Sequence, residues 1–252
     1  MSRLQPDLVL SDNAKTGKSI NTGHSTCRPT RLCRRVCYGR YVSGEMGRAE
    51  GLHTNDGWIT KPKQVRCYER NAALLRSASL EMNWFERQAE RIQGKLARGG
   101  LDNVRLCGMG DLEEGLCALA VALEERGVHA WGFSKKPEMI SLIAELCAGP
   151  DKRPYIIGST DASMSESRVR ELVSATERLN GRGTLAYMCM EPGWVGQQEA
   201  EDLPSWWREP LAVIFGYHTN RHKTAVMHEL ACPSTNGLDV HCQECRRCMS
   251  SS

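Results

Sequence analysis

Seven of the twelve cysteines in this 252-residue chain fall into two clusters. The first lies in STCRPTRLCRRVCYGR, where Cys27, Cys33 and Cys37 follow a C-x5-C-x3-C pattern among arginines. The second closes the chain in ACPSTNGLDVHCQECRRC, where Cys232, Cys242, Cys245 and Cys248 give C-x9-C-x2-C-x2-C. Thiolates spaced so tightly either staple a loop or hold a metal. The N-terminal MSRLQPDLVLSDNAKTGKS has no apolar run of signal-peptide length, and no stretch of about 18 apolar residues follows it. A cytoplasmic chain with no membrane contact is therefore expected. In a reducing compartment disulfides are rare, which turns the clusters toward metal chemistry. Three thiolates leave one iron of a [4Fe-4S] cluster without a protein ligand, open to a substrate or cofactor. A zinc site completed by His24 or a tail cysteine, or a loop with incidental thiols, would use the same residues. The tail thiolates suit an iron-sulfur cluster, a zinc ion or an unmetallated tail.

Other residues with chemical capacity are more scattered. Cys117 and Cys147 sit on apolar helical patterns and read as small buried hydrophobes. Cys107 and Cys189 end strands on the expected site face and read as buried or functional thiols. GMGD, residues 108 to 111, is a glycine turn carrying Asp111. Lys135 and Lys136 follow an apolar run and suit either a carboxylate or phosphate grip or a strand-to-helix turn. His218 and His222 are four apart, a metal-ligand spacing if helical, in a stretch that reads as a polar loop. Trp206 and Trp207 in PSWWREP read as a packed loop rather than a base-stacking platform. Glu191 follows TLAYMCM as an acid or base. Residues 1 to 40 carry eight Lys/Arg against Asp7 and Asp12, a solvated surface or an anion-facing patch.

These residues must be held by regular elements. An early strand is expected near DLVLS or GKSIN, and helix over residues 65 to 98 with a break near Met82 and Asn83. From residue 100, NVRLC, HAWGFS, PYIIGST, TLAYMCM and LAVIFGYH read as strands alternating with helical patterns, the signature of βα units and a parallel sheet. Each run ends in polar or glycine-rich residues, where β/α barrels build their sites. The expected fold is α/β: a partial (β/α)6 TIM-like barrel over residues 1–230, with its cluster loop at 25–40, followed by a cysteine-rich tail over 231–252. A doubly wound open sheet is the competitor.

The segments NAKTGKSINTGHSTCRPTRLCRRVCYGR, VRLCGMGDLEEG, WGFSKKPEM and CPSTNGLDVHCQECRRC resemble the bacteriophage "gene product 88" family over most of the chain. That group in turn resembles an atypical form of the radical S-adenosylmethionine (SAM) enzymes, partial (β/α)6 barrels with a three-cysteine [4Fe-4S] cluster after the first strand. The resemblance implies that Cys27, Cys33 and Cys37 bind that cluster, with Tyr38 beside it, and that the open iron chelates SAM. It implies that Gly108, Gly110 and Asp111 form the turn meeting the SAM amino group. It further implies that Ser134, Ser159, Asp161 and Glu191 are cofactor contacts, and that Cys232, Cys242, Cys245 and Cys248 hold an auxiliary cluster. The loop differs from the usual C-x3-C-x2-C of that superfamily.

The function expected on these grounds is an iron-sulfur enzyme that reductively cleaves SAM to drive radical modification of a small molecule, a nucleotide or a DNA base. Flavodoxin or ferredoxin would supply the electron, in the host cytoplasm if phage-encoded. The alternatives are a zinc-stabilised nucleic-acid-binding protein without catalysis, and an iron-sulfur redox protein without SAM.

Overall fold

The computed structural model describes residues 6–13, 17–36, 62–78, 82–189, 193–215, 218–219, 222–223, 230–232 and 245. Among them a seven-stranded sheet runs in chain order: β1 (Leu10–Asn13), β2 (Gly17–Ile20), β3 (Asn103–Leu106), β4 (His129–Ser134), β5 (Tyr155–Asp161), β6 (Gly183–Met188) and β7 (Leu211–Phe215). β1 folds back antiparallel on β2, from Leu10↔Ile20 to Asn13↔Gly17. Every later pairing is parallel, which gives a mixed α/β sheet flanked by helices. Among the described residues no pairing joins β1 to β7.

Helices fill the crossovers. The short α1 (Arg31–Val36) follows a 3-10 turn at His24–Thr26, and α2 (Pro62–Ser77) and α3 (Met82–Ala97) precede β3. α4 (Glu114–Glu125), α5 (Pro137–Leu146) and α6 (Glu166–Glu177) each link successive strands. α7 (Gly193–Glu201) and α8 (Ser205–Arg208) precede β7. The expected helical stretch from 65 to 98 contains the helices Pro62–Ser77 and Met82–Ala97. The loop expected at PSWWREP contains α8. His218 and His222 lie in a small antiparallel pair with Thr219 opposite His222, and not on a helix.

The apolar spacing explains the packing. In α3, Phe85, Ala89, Ile92 and Leu96 recur at intervals of four, three and four, which aligns them on one face. They join Leu116, Leu119 and Leu123 of α4 and the strand residues Val104, Leu106, Ala130, Ile156, Leu185 and Ile214 in one core. Fully burying each Val, Leu, Ile or Phe among them contributes about 1.5–3 kcal/mol. Strand residues pointing the other way, Trp131, Tyr155, Ile157, Ala186 and Val213, form a second cluster with Cys232. Phe133 packs on that face at 6.4 Å from Trp131, and Arg105 holds its guanidinium carbon 5.4 Å from both rings. One sheet face therefore meets helices and the other carries an aromatic cluster capped by a cation.

Candidate functional site at the strand ends

The parallel strands end on one rim, and two of the connecting loops are fastened together there. After β2, Thr22 N donates to Met109 O at 3.1 Å, and Met109 N donates to Asn21 Oδ1 at 2.7 Å. Thr26 Oγ1 accepts from Asp111 N at 2.8 Å and donates to Gly23 O at 2.9 Å. Gly110 makes this fit possible. Its φ is +97°, and a Cβ there would collide with Thr22 Oγ1 and stand 2.7 Å from Gly23 O. Glycine alone adopts that conformation at no steric cost. Gly108 is exposed at the tip of the same turn. Asn71 of α2 anchors the arrangement from below: it is fully buried and donates from Nδ2 to Val9 O (2.8 Å) and Asn21 O (3.0 Å), while its Oδ1 accepts from Val9 N (2.9 Å).

Two carboxylates organise the rim. Asp111 is 6% exposed; its Oδ1 accepts from Leu112 N (2.8 Å) and Ser134 Oγ (2.6 Å), and its Oδ2 from Lys135 N (3.3 Å). Burial raises its pKa above the ordinary aspartate value against those hydrogen bonds and the Lys136 charge. Asp161 is fully buried at the end of β5. Its Oδ2 accepts from Thr30 Oγ1 (2.6 Å) and Lys135 Nζ (2.8 Å), and its Oδ1 from Ser163 N (2.9 Å). Burial alone would raise its pKa, but the Lys135 ammonium and the hydrogen bonds outweigh it and hold the carboxyl below its usual value. Lys135 is thus a strand-end brace. Ser134 is spent between Asp111 and the amide of Lys136 (3.1 Å). Ser159 is half-buried on β5 opposite Ala186.

The segment from 24 to 36 lies across these ends. Arg28 pairs with Glu138 at 2.7 Å, and Leu32 N donates to Ser163 Oγ at 3.0 Å. Thr30 Oγ1 accepts from Cys33 N at 3.1 Å, which caps the start of α1. Cys33 therefore occupies a helix and Cys27 the end of the 3-10 turn, both half-buried.

This placement corrects the expected metal chemistry. Among the described residues no three His, Cys, Asp or Glu side chains converge as a group able to hold a metal ion. The assignment of an iron-sulfur enzyme binding a [4Fe-4S] cluster and SAM, and the zinc and SAM-free redox alternatives, are overturned on that geometry. Tertiary packing explains part of it: Cys232 is 7% exposed and packs among Trp131, Tyr155 and Val213 as a small hydrophobe. Cys245 is half-buried. Cys37, Tyr38, Glu191, Cys242 and Cys248 lie outside the described residues. Cys107, Cys117 and Cys189 are buried, and burial pushes the Cys189 thiol up to about 12 and raises the other two as well. Thiols so raised stay protonated near neutrality and are poor nucleophiles. Trp207 is buried, donates Nε1–H to Thr160 (3.1 Å) and stacks on Trp206, whose ring Arg170 covers at 3.9 Å.

Beside the rim, between the first turns of α4 and α5, is a cavity of about 350 Å³. Arg28, Arg76, Lys136, Glu113, Glu114 and Glu138 line it. Arg76 Nε is 2.9 Å from Glu113 Oε2. Arg76, Glu113 and Thr30 drew no attention in the sequence; the one signal was that Glu113 and Glu114 open a helix directly after the glycine turn. No helix among the described residues is long and apolar enough to cross a membrane. No family model, curated protein or solved structure matches the chain, so the family resemblance rests on the quoted motifs.

Proposed function

We propose that this chain binds a small charged organic molecule in the cavity between the first turns of α4 and α5. The observation that carries this is the convergence of Arg28, Arg76, Lys136, Glu113, Glu114 and Glu138 on about 350 Å³ beside the ends of β3 and β4. That volume is in the range of small-molecule sites, and parallel sheets place ligands at the carboxyl ends of their strands. The sequential strand order, with the helices' buried faces in one core, supports taking the sheet as an incomplete β/α barrel whose loops serve that rim.

The cavity is also well braced. Asp111, Ser134, Asp161 and Lys135 are occupied with one another and fix the two loops that carry Glu113 and Lys136. A rigid frame lowers the ordering cost that a ligand must overcome.

Thermal unfolding with single charged metabolites tests the proposal, using nucleotides, amino acids, sugar phosphates and dicarboxylates. A binder present at 100 times its Kd adds about 2.7 kcal/mol of apparent stability. The expected result is a saturable rise in Tm that Arg76→Ala diminishes. A flat response across the panel would overturn it.

A further inference from the structure

Two groups on the cavity wall have unmet demands of opposite kind. Lys136 is 8% exposed, and its ammonium donates to Leu112 O at 2.7 Å. Among the described residues no carboxylate stands within ion-pair distance of it, although it carries three donors. A buried ammonium of this kind is ordinarily paired. Its charge acts on both Asp111 and Glu113. Glu113 presents the converse: Oε2 accepts from Arg76, while Oε1 is buried with no hydrogen-bond partner among the described residues. That oxygen calls for an N–H or O–H donor. Glu113 and Lys136 lie farther apart than an ion pair, on walls of the same cavity.

Elsewhere in the lining, Arg28 pairs with Glu138 at 2.7 Å, which Arg168 also meets at 3.3 Å, and Arg76 holds the other oxygen of Glu113 at 2.9 Å. A dianion such as free phosphate would meet three cations but also three carboxylates, and it would leave Glu113 Oε1 without a donor. An uncharged amine would satisfy Glu113 and leave Lys136 unpaired. A ligand bearing an anionic group and an N–H or O–H donor a few ångströms apart answers both, and the Glu113 carboxylate favours a donor that carries positive charge.

Resting on the cavity being the ligand site, we infer that its ligand is a zwitterion of the α-amino acid class, its carboxylate received by Lys136 and its ammonium by Glu113. Arg28 and Arg76 flank the carboxylate, and the remaining volume takes the ligand's side chain. No bond is made or broken in this assignment.

Isothermal titration of the intact protein with individual α-amino acids, their N-acetyl derivatives, their decarboxylated amines and inorganic phosphate tests it. At least one amino acid is expected to bind saturably, with its N-acetyl and decarboxylated forms weaker by about tenfold or more, as for loss of one charge-assisted hydrogen bond. Glu113→Gln is expected to weaken the parent amino acid about tenfold and to leave the N-acetyl form unchanged. Lys136→Met is paired with a thermal melt to confirm folding, and Arg76→Ala, at a half-exposed side chain, serves as the second variant. Equal binding of the N-acetyl form or of phosphate alone would overturn the amino acid class while leaving the cavity as a ligand site. Silence from these compounds and from nucleotides alike would overturn both.

Discussion

Lys135 Nζ stands 2.8 Å from Asp161 Oδ2, a carboxylate with no exposure to solvent, so a cation from the end of β4 is locked to the end of β5. Asp161→Asn leaves the ammonium without its counter-charge and is expected to cost about 3–5 kcal/mol, read as a shift in urea midpoint. The pair Lys135→Met/Asp161→Asn should recover part of that loss. The folded pKa of Asp161 lies below the unfolded one, so its stabilisation is complete above the ordinary aspartate value of about 3.9 and fades as pH falls through the folded value. Urea midpoints taken downward from pH 5 should fall more steeply in the wild type than in Asp161→Asn.

Gly110 and Gly127 both have positive φ, +97° and +74°, but only Gly110 has atoms where a Cβ would go. Gly127→Ala is expected to cost about 1–2 kcal/mol for the left-handed backbone alone. Gly110→Ala adds a collision with Thr22 Oγ1 and should cost clearly more. Equal losses in denaturant titration would mean that the two loops do not approach as described.

Asn71 makes three hydrogen bonds to backbone groups of Val9 and Asn21 while fully buried. Asn71→Ala strips partners from groups that water does not reach, at about 1–3 kcal/mol for each group left unsatisfied. Amide exchange at Val9 should accelerate in that variant, while amides within β5 and β6 respond only through global stability. An unchanged Val9 amide would contradict the assignment.

Glu124 sits near the opposite end of the sheet, where its Oε1 accepts from Ala130 N at 2.8 Å. Burial raises its pKa, against the Ala130 amide and His129. The folded state thus binds a proton more tightly than the unfolded chain, and stability declines as pH rises from the ordinary glutamate value of about 4.3 through the raised one. Glu124→Gln retains an acceptor for Ala130 and removes the titration. Its urea midpoint should therefore fall less than the wild type's between pH 4 and pH 8.

Much of the sheet is legible in the sequence, because strands buried on both faces appear as short continuous apolar runs: HAWGFS is the strand His129–Ser134. α7 and α8 escaped notice because GWVGQQEAE has little apolar periodicity and SWWR is four residues long. At the rim, Asp111 and Lys135 stood out by their place after a strand, and Ser134 and Asp161 through the family resemblance. Their partners were hidden, since Thr30 and Asp161 are 131 positions apart and no local pattern joins them. The cysteine spacings misled for the same reason. Proximity along the chain says nothing of where Cα–Cβ vectors point, and Cys33 entered a helix while Cys232 entered the aromatic cluster.

The Thr30 hydroxyl has a single proton, given to Asp161, and its oxygen receives the Cys33 amide. A six-residue helix is too short to persist by itself in water. One oxygen atom therefore makes α1 and its seat on β5 a single cooperative unit. The helix cannot wind before it lands, and lifting it from the sheet also unwinds it.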